Sequence, residues 1–89
     1  MERESFYSAV RAFLSGLLEE RERDRVLVAL REDDDLYRLG LVDSLTIIRM
    51  IIFVEELTAK EIDLEDHDFE SFYTLRGLYS VVETAADEG

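Results

Sequence analysis

Residues 44–58 read Ser44-Leu45-Thr46-Ile47-Ile48-Arg49-Met50-Ile51-Ile52-Phe53-Val54-Glu55-Glu56-Leu57-Thr58. Placed at 100° per residue, Ile47, Met50, Ile51 and Val54 gather on one side, the side expected to enter a core. Arg49 and Glu56 lie nearly opposite, with Thr46 close by, so that side faces water. Yet Leu45, Ile52 and Phe53 fall on the same wet side, and Ile48 falls at its border. An amphipathic helix does not need them there. Either the helix is central in a bundle and buried nearly all round, or it carries an exposed apolar strip on which a partner docks. Arg49 and Glu56 favour the docking strip, because neither is buried without a partner. Asp43 or Ser44 offers a capping side chain for the free N–H groups of the first turn.

Upstream of this helix, Gly40 permits a turn, and Arg31 to Tyr37, containing Asp33-Asp34-Asp35, reads as a solvated acidic loop. Val26 to Leu30 is compatible with a short helical turn, although its period alone does not assign it. The stretch Glu19 to Arg25 is charged throughout. Phe6, Val10, Phe13, Leu14 and Leu17 recur at spacings of three and four, which predicts a first helix from about Ser5 to about Glu20. Downstream, Ala59 to Asp68 reads as an acidic loop with Ile62 and Leu64 as pegs into the core. A short helix is expected around Asp68 to Phe72. A last helix is expected from the N-cap residue Thr74, with Leu75, Leu78, Tyr79 and Val82 on one face. Gly77 within it costs about 1 kcal/mol against alanine. With no proline and four glycines, helices joined by polar loops are favoured over a sheet of tight hairpins. The fold expected is all-α.

The 89 residues leave room for a single domain, 1–89, with a thin core. Cysteine is absent, so a thiol has to arrive on a cofactor. The formal net charge of −12 argues against nucleic acid or an anionic membrane surface and suits partners with basic patches. No window approaches the roughly 18–20 apolar residues that span a bilayer. The start, Met1-Glu2-Arg3-Glu4-Ser5, lacks the basic and apolar regions of a secretory signal, so a cytoplasmic protein is expected.

The segment Asp35-Leu36-Tyr37-Arg38-Leu39-Gly40-Leu41-Val42-Asp43-Ser44-Leu45 resembles the signature of acyl carrier proteins. In that family an acidic-leucine-aromatic stretch leads through glycine to Asp-Ser-Leu at the start of the second helix. The likeness continues through Ile48, Ile52 and Glu55-Glu56, then Glu61-Ile62-Asp63-Leu64, then Phe72-Tyr73-Thr74-Leu75, about residues 33 to 83 in all. The resemblance implies a four-helix bundle with a long loop after the first helix and a short third helix. It implies a monomeric stand-alone carrier that is no catalyst. A phosphopantetheinyl transferase would move 4'-phosphopantetheine from coenzyme A onto the Ser44 hydroxyl. The arm's thiol would then carry an acyl or aminoacyl thioester from a loading ligase or acyltransferase to downstream biosynthetic enzymes. Asp43 matches the family's transferase contact, and Leu45 and Ile52 match its docking positions. With Ile48, Arg49, Phe53 and Glu56 they make up the docking strip expected here.

Two departures bear on pathway. Leu41 and Val42 put one more residue between Gly40 and Asp43 than bacterial fatty-acid carriers have, and Arg49 stands where those carriers tend to be acidic. The Gly-Gly-His-Ser motif of modular peptidyl carrier domains is missing. A dedicated carrier of an aminoacyl or natural-product pathway fits better than one of housekeeping fatty acid synthesis. An enzyme reading fails on its base: His67, the single histidine, sits in the polar stretch Asp66-His67-Asp68, and no glycine elbow surrounds Ser44. Calcium binding fails too, because a loop counted from Asp63 has Asp68 where an EF-hand requires glycine, so no metal site is expected. The rival that stands is an unmodified acidic helical adaptor using the strip for protein–protein contact.

Overall fold

A computed structural model describes residues 1–19 and 29–87. Most of the expected turn at Val26–Leu30 and of the charged stretch 19–25 falls outside the described residues, while Leu30 is buried in the core. The fold is mostly helical. Among the described residues it has three α-helices: α1 (Arg3–Leu17), α2 (Ser44–Thr58) and α3 (Leu75–Thr84). Two 3-10 turns, Leu64–Asp66 and Phe69–Phe72, bridge α2 to α3. The short strands β1 (Lys60–Glu61) and β2 (Ala86–Asp87) pair antiparallel, with Lys60 opposite Asp87 and Glu61 opposite Ala86. This small ribbon, which the sequence did not suggest, ties the end of α2 to the end of the chain.

The helix faces follow the periodicity. Ile47, Met50, Ile51 and Val54 of α2 are buried, as are Phe6, Val10 and Leu14 of α1 and Leu75, Leu78 and Val82 of α3. Helix α1 packs on both α2 and α3. Tyr7 joins this core at 2% exposure, whereas Leu17, expected at the end of the α1 stripe, is exposed. Tyr7 is buried because its ring meets Phe6 and Tyr79 edge-on, while its hydroxyl reaches a carboxylate at the rim.

Other expectations are corrected as well. Ile62 is the peg foreseen, but Leu64 is 40% exposed. The Asp63 carboxylate accepts the Glu65 N–H and starts a 3-10 turn there, which carries Leu64 outward. Gly77 is no tolerated defect either. A Cβ built on it would run into the backbone carbonyl oxygen of Ser71, so the glycine allows the second 3-10 turn to pack against α3. Thr74 caps α3 as expected, its hydroxyl accepting the Gly77 N–H at 2.9 Å.

The acidic loop is also less solvated than expected. The Arg76 guanidinium binds Glu32 at 2.6 Å and Asp33 at 2.8 Å, and Glu32 accepts the Tyr7 hydroxyl at 2.8 Å. Backbone bonds reinforce this clamp: Arg76 N–H donates to the Glu32 carbonyl at 3.0 Å, and Leu36 N–H to the Tyr73 carbonyl at 2.8 Å. Leu36 is fully buried beneath them. The loop is thus fastened to α1 and α3 before it reaches α2.

Candidate functional site

The chain arrives at α2 under tight control. Leu41 N–H donates to the Leu36 carbonyl at 3.0 Å, closing a turn in which Gly40 takes φ +75°, a region that favours glycine. Leu41 and Val42 then insert into the core, each 6% exposed. These two residues anchor the chain in the core immediately before the helix begins. Val42 is followed at once by exposed Asp43 and Ser44.

Asp43 is the N-cap. Its Oδ1 accepts the Thr46 N–H at 2.8 Å, and its carbonyl accepts the Ile47 N–H at 2.9 Å. The Thr46 N–H holds the Asp43 carboxyl below the ordinary aspartate range, so it stays ionised well into acid. Capping therefore falls to Asp43 alone of the two residues considered. Ser44 is the first residue of α2, with its side chain exposed and its hydroxyl bonded to no described residue. The free N–H groups and positive end of α2 favour an anionic group beside that hydroxyl, while the Asp43 charge opposes one. His67 packs edge-on against Phe72 at 6.2 Å between ring centres, and no hydrogen bond joins it to Ser44. Among the described residues no group of three His, Asp or Glu side chains is arranged to hold a metal ion. No helix among them is long and apolar enough to cross a membrane.

The wet face of α2 divides into two kinds of residue. Leu45 is 62% and Ile52 50% exposed, and Arg49 and Glu56 are exposed as well. Ile48 and Phe53 are half-buried. The Phe53 ring stacks on Phe13 of α1, with centroids 4.5 Å apart and planes 19° from parallel. Arg49, Ile52, Phe53 and Glu56 come together with Phe13 and Leu17 around a shallow, mainly apolar groove of about 260 Å³ between α1 and α2. Leu45 and Ile48 lie outside the lining of that groove. The part played by α1 was missed because the exposure of Leu17 depends on where α1 stops; a wheel drawn through Glu20 puts Leu17 in the core.

No protein-family model matches this chain, and neither the curated proteins nor the solved structures contain a significant match.

Proposed function

We propose that the chain is a stand-alone carrier protein, with Ser44 as the attachment point of a 4'-phosphopantetheine arm. The observation that carries the reading is an exposed, unbonded serine hydroxyl on the first residue of a helix capped by the aspartate before it. The residues suit the group. The hydroxyl is open to an enzyme, and the helix's N-terminal N–H groups partly offset the charge of a phosphodiester placed there. In the transfer, the Ser44 oxygen would bond to the phosphorus of coenzyme A that bears pantetheine. The serine proton would leave to a base of the transferase, and the nucleotide half would depart. The arm supplies the thiol that the chain lacks, and acyl or aminoacyl cargo rides on it as a thioester.

On this reading the architecture is a reduced four-helix carrier bundle, in which the 3-10 turn Phe69–Phe72 stands for the short third helix. Asp43 would serve the transferase contact. Leu45, Ile48, Arg49, Ile52, Phe53 and Glu56 would meet the loading ligase or acyltransferase and the downstream enzymes. The net charge of −12 draws such partners by their basic surfaces. Arg49 on the docking face supports partners other than those of fatty acid synthesis, and so an aminoacyl or natural-product pathway. The groove between α1 and α2 would equally serve an unmodified adaptor, and one experiment separates the two. With coenzyme A and a broad-specificity phosphopantetheinyl transferase, the intact mass should rise by one phosphopantetheine group, and Ser44→Ala should abolish the rise. No gain with several transferases would favour the adaptor.

A further inference from the structure

The exposed strip on α2 carries one charge of each sign. Arg49 and Glu56 stand two turns apart, about 10 Å along the helix axis and nearly in line on one side. Both are exposed, and neither has a hydrogen bond or ion pair to a described residue. Between them sits Ile52, 50% exposed, at the edge of the groove that Phe13 and Leu17 complete from α1. Glu55, the next acidic side chain, is engaged elsewhere: its carboxylate accepts the Ile62 N–H at 2.9 Å. Arg49 and Glu56 are the charged residues of the groove's lining, so this patch is locally neutral on a chain of net charge −12.

That pattern selects its occupant. A segment of uniform charge is attracted at one end of the strip and repelled at the other, whichever sign it carries. The strip calls for a surface with the two charges in reverse order, at the same spacing, around an apolar centre. A second copy of α2, laid antiparallel, is such a surface. A two-fold axis midway between residues 49 and 56 sets Arg49 against the partner's Glu56, and Glu56 against the partner's Arg49. It also brings the two Ile52 side chains together beside the axis. A contact of this kind satisfies both copies at once and closes at the dimer.

We propose that the face of α2 bordering the groove is a self-association surface, through which two copies of this chain form a weak antiparallel dimer. The dimer is weak because the strip is small beside the roughly 1,200 Å² that stable complexes bury. The charge of −12 on each chain opposes it further. It departs from the monomer that the carrier resemblance implies, and it stands whether or not Ser44 is modified. Concentrated protein covers Arg49, Ile52 and Glu56, and dilute protein frees them, so any other partner of this strip competes with the second copy.

Sedimentation equilibrium of the full chain, from micromolar to millimolar concentration at physiological salt, tests this. The Debye length of about 8 Å then screens repulsion between distant charges more than contacts across the interface. The wild type should pass from monomer to dimer within that range. Arg49→Glu alone and Glu56→Arg alone each turn both ion pairs into like-charge pairs, and each should weaken the dimer at least about tenfold. Mixed in equal amounts, the two variants complement each other and should dimerise about as tightly as the wild type. Both side chains are exposed and unpaired, so the variants should fold normally, which far-UV circular dichroism checks. Ser44→Ala should dimerise like the wild type, which keeps this outcome separate from that of the phosphopantetheine test. A wild type that stays monomeric at millimolar concentration overturns the proposal and leaves the strip to a different protein. So do single variants that dimerise as well as the wild type, or a mixture no tighter than either variant alone.

Discussion

Gly77 shows how a single residue can be read in opposite senses. By helix propensity, replacing it with alanine gains about 1 kcal/mol. In the fold, the added methyl meets the Ser71 carbonyl, a backbone atom that cannot rotate away. Overpacking of this kind typically costs about 1–3 kcal/mol. Gly77→Ala is therefore expected to lower the urea midpoint at unchanged slope, whereas a rise would restore the propensity reading. Ser71 and Gly77 are brought together by the 3-10 turn, so no local pattern announces the contact. Asp43 is the contrasting case. A short acidic side chain before an apolar-periodic run signals a cap, and its carboxylate does accept the Thr46 N–H. What the sequence left open was whether Asp43 or Ser44 would cap. That choice decides whether the serine hydroxyl is occupied or free.

At the scale of the element, α2 was almost fully legible, because a 3.6-residue period separates its faces without knowledge of its neighbours. The buried set Ile47, Met50, Ile51 and Val54 is the set expected. The opposite face was harder to resolve, since Ile52 and Phe53 look alike on a helical wheel. Only the position of α1 separates them: Phe53 rests on Phe13, while Ile52 remains half open to water. Ile52→Asp should cost less than about 1 kcal/mol of unfolding free energy. Phe53→Asp should cost about 2 kcal/mol or more, through lost ring stacking and a charge forced against the core. Urea melts of the two variants make the comparison, and equal losses would mean that the groove between α1 and α2 is closed in solution. Leu64 marks the limit of such reading. In sequence it reads as a second peg two positions from the true one, Ile62, and the Asp63 turn that carries it outward depends on a side-chain bond rather than on periodicity.

At the scale of the whole molecule, the clamp formed by Tyr7, Glu32 and Arg76 joins α1, the acidic loop and α3. None of it was legible, because Glu32 and Arg76 stand far apart in the chain and each alone reads as a solvated charge. The clamp should leave a mark in the pH dependence of stability. Burial, helped by the Glu32 carboxylate, pushes the Tyr7 hydroxyl up from 10.0 to about 12. Between those values the unfolded chain releases a proton that the folded chain keeps, so stability falls as pH rises through that window. The Tyr7 hydrogen bond, with help from Arg76, holds the Glu32 carboxyl below its ordinary value of 4.5. Its contribution is complete above that value and disappears as the pH falls through the lowered one. The stability difference between wild type and Tyr7→Phe should thus be level across the neutral range and shrink at both extremes. A constant difference from acid to alkali, measured by denaturant melts, would mean that the hydroxyl and the carboxylate do not meet.

Through this clamp, and through Leu41 and Val42 beneath the loop, the whole fold converges on the placement of one exposed serine at the start of α2. The most direct measurement is fragment-ion sequencing of the protein after incubation with coenzyme A and a phosphopantetheinyl transferase. The expected result is a single phosphopantetheine group on the peptide containing Asp43-Ser44-Leu45, localised to Ser44. An unmodified Ser44, or the group on any other serine, would contradict the carrier function proposed here.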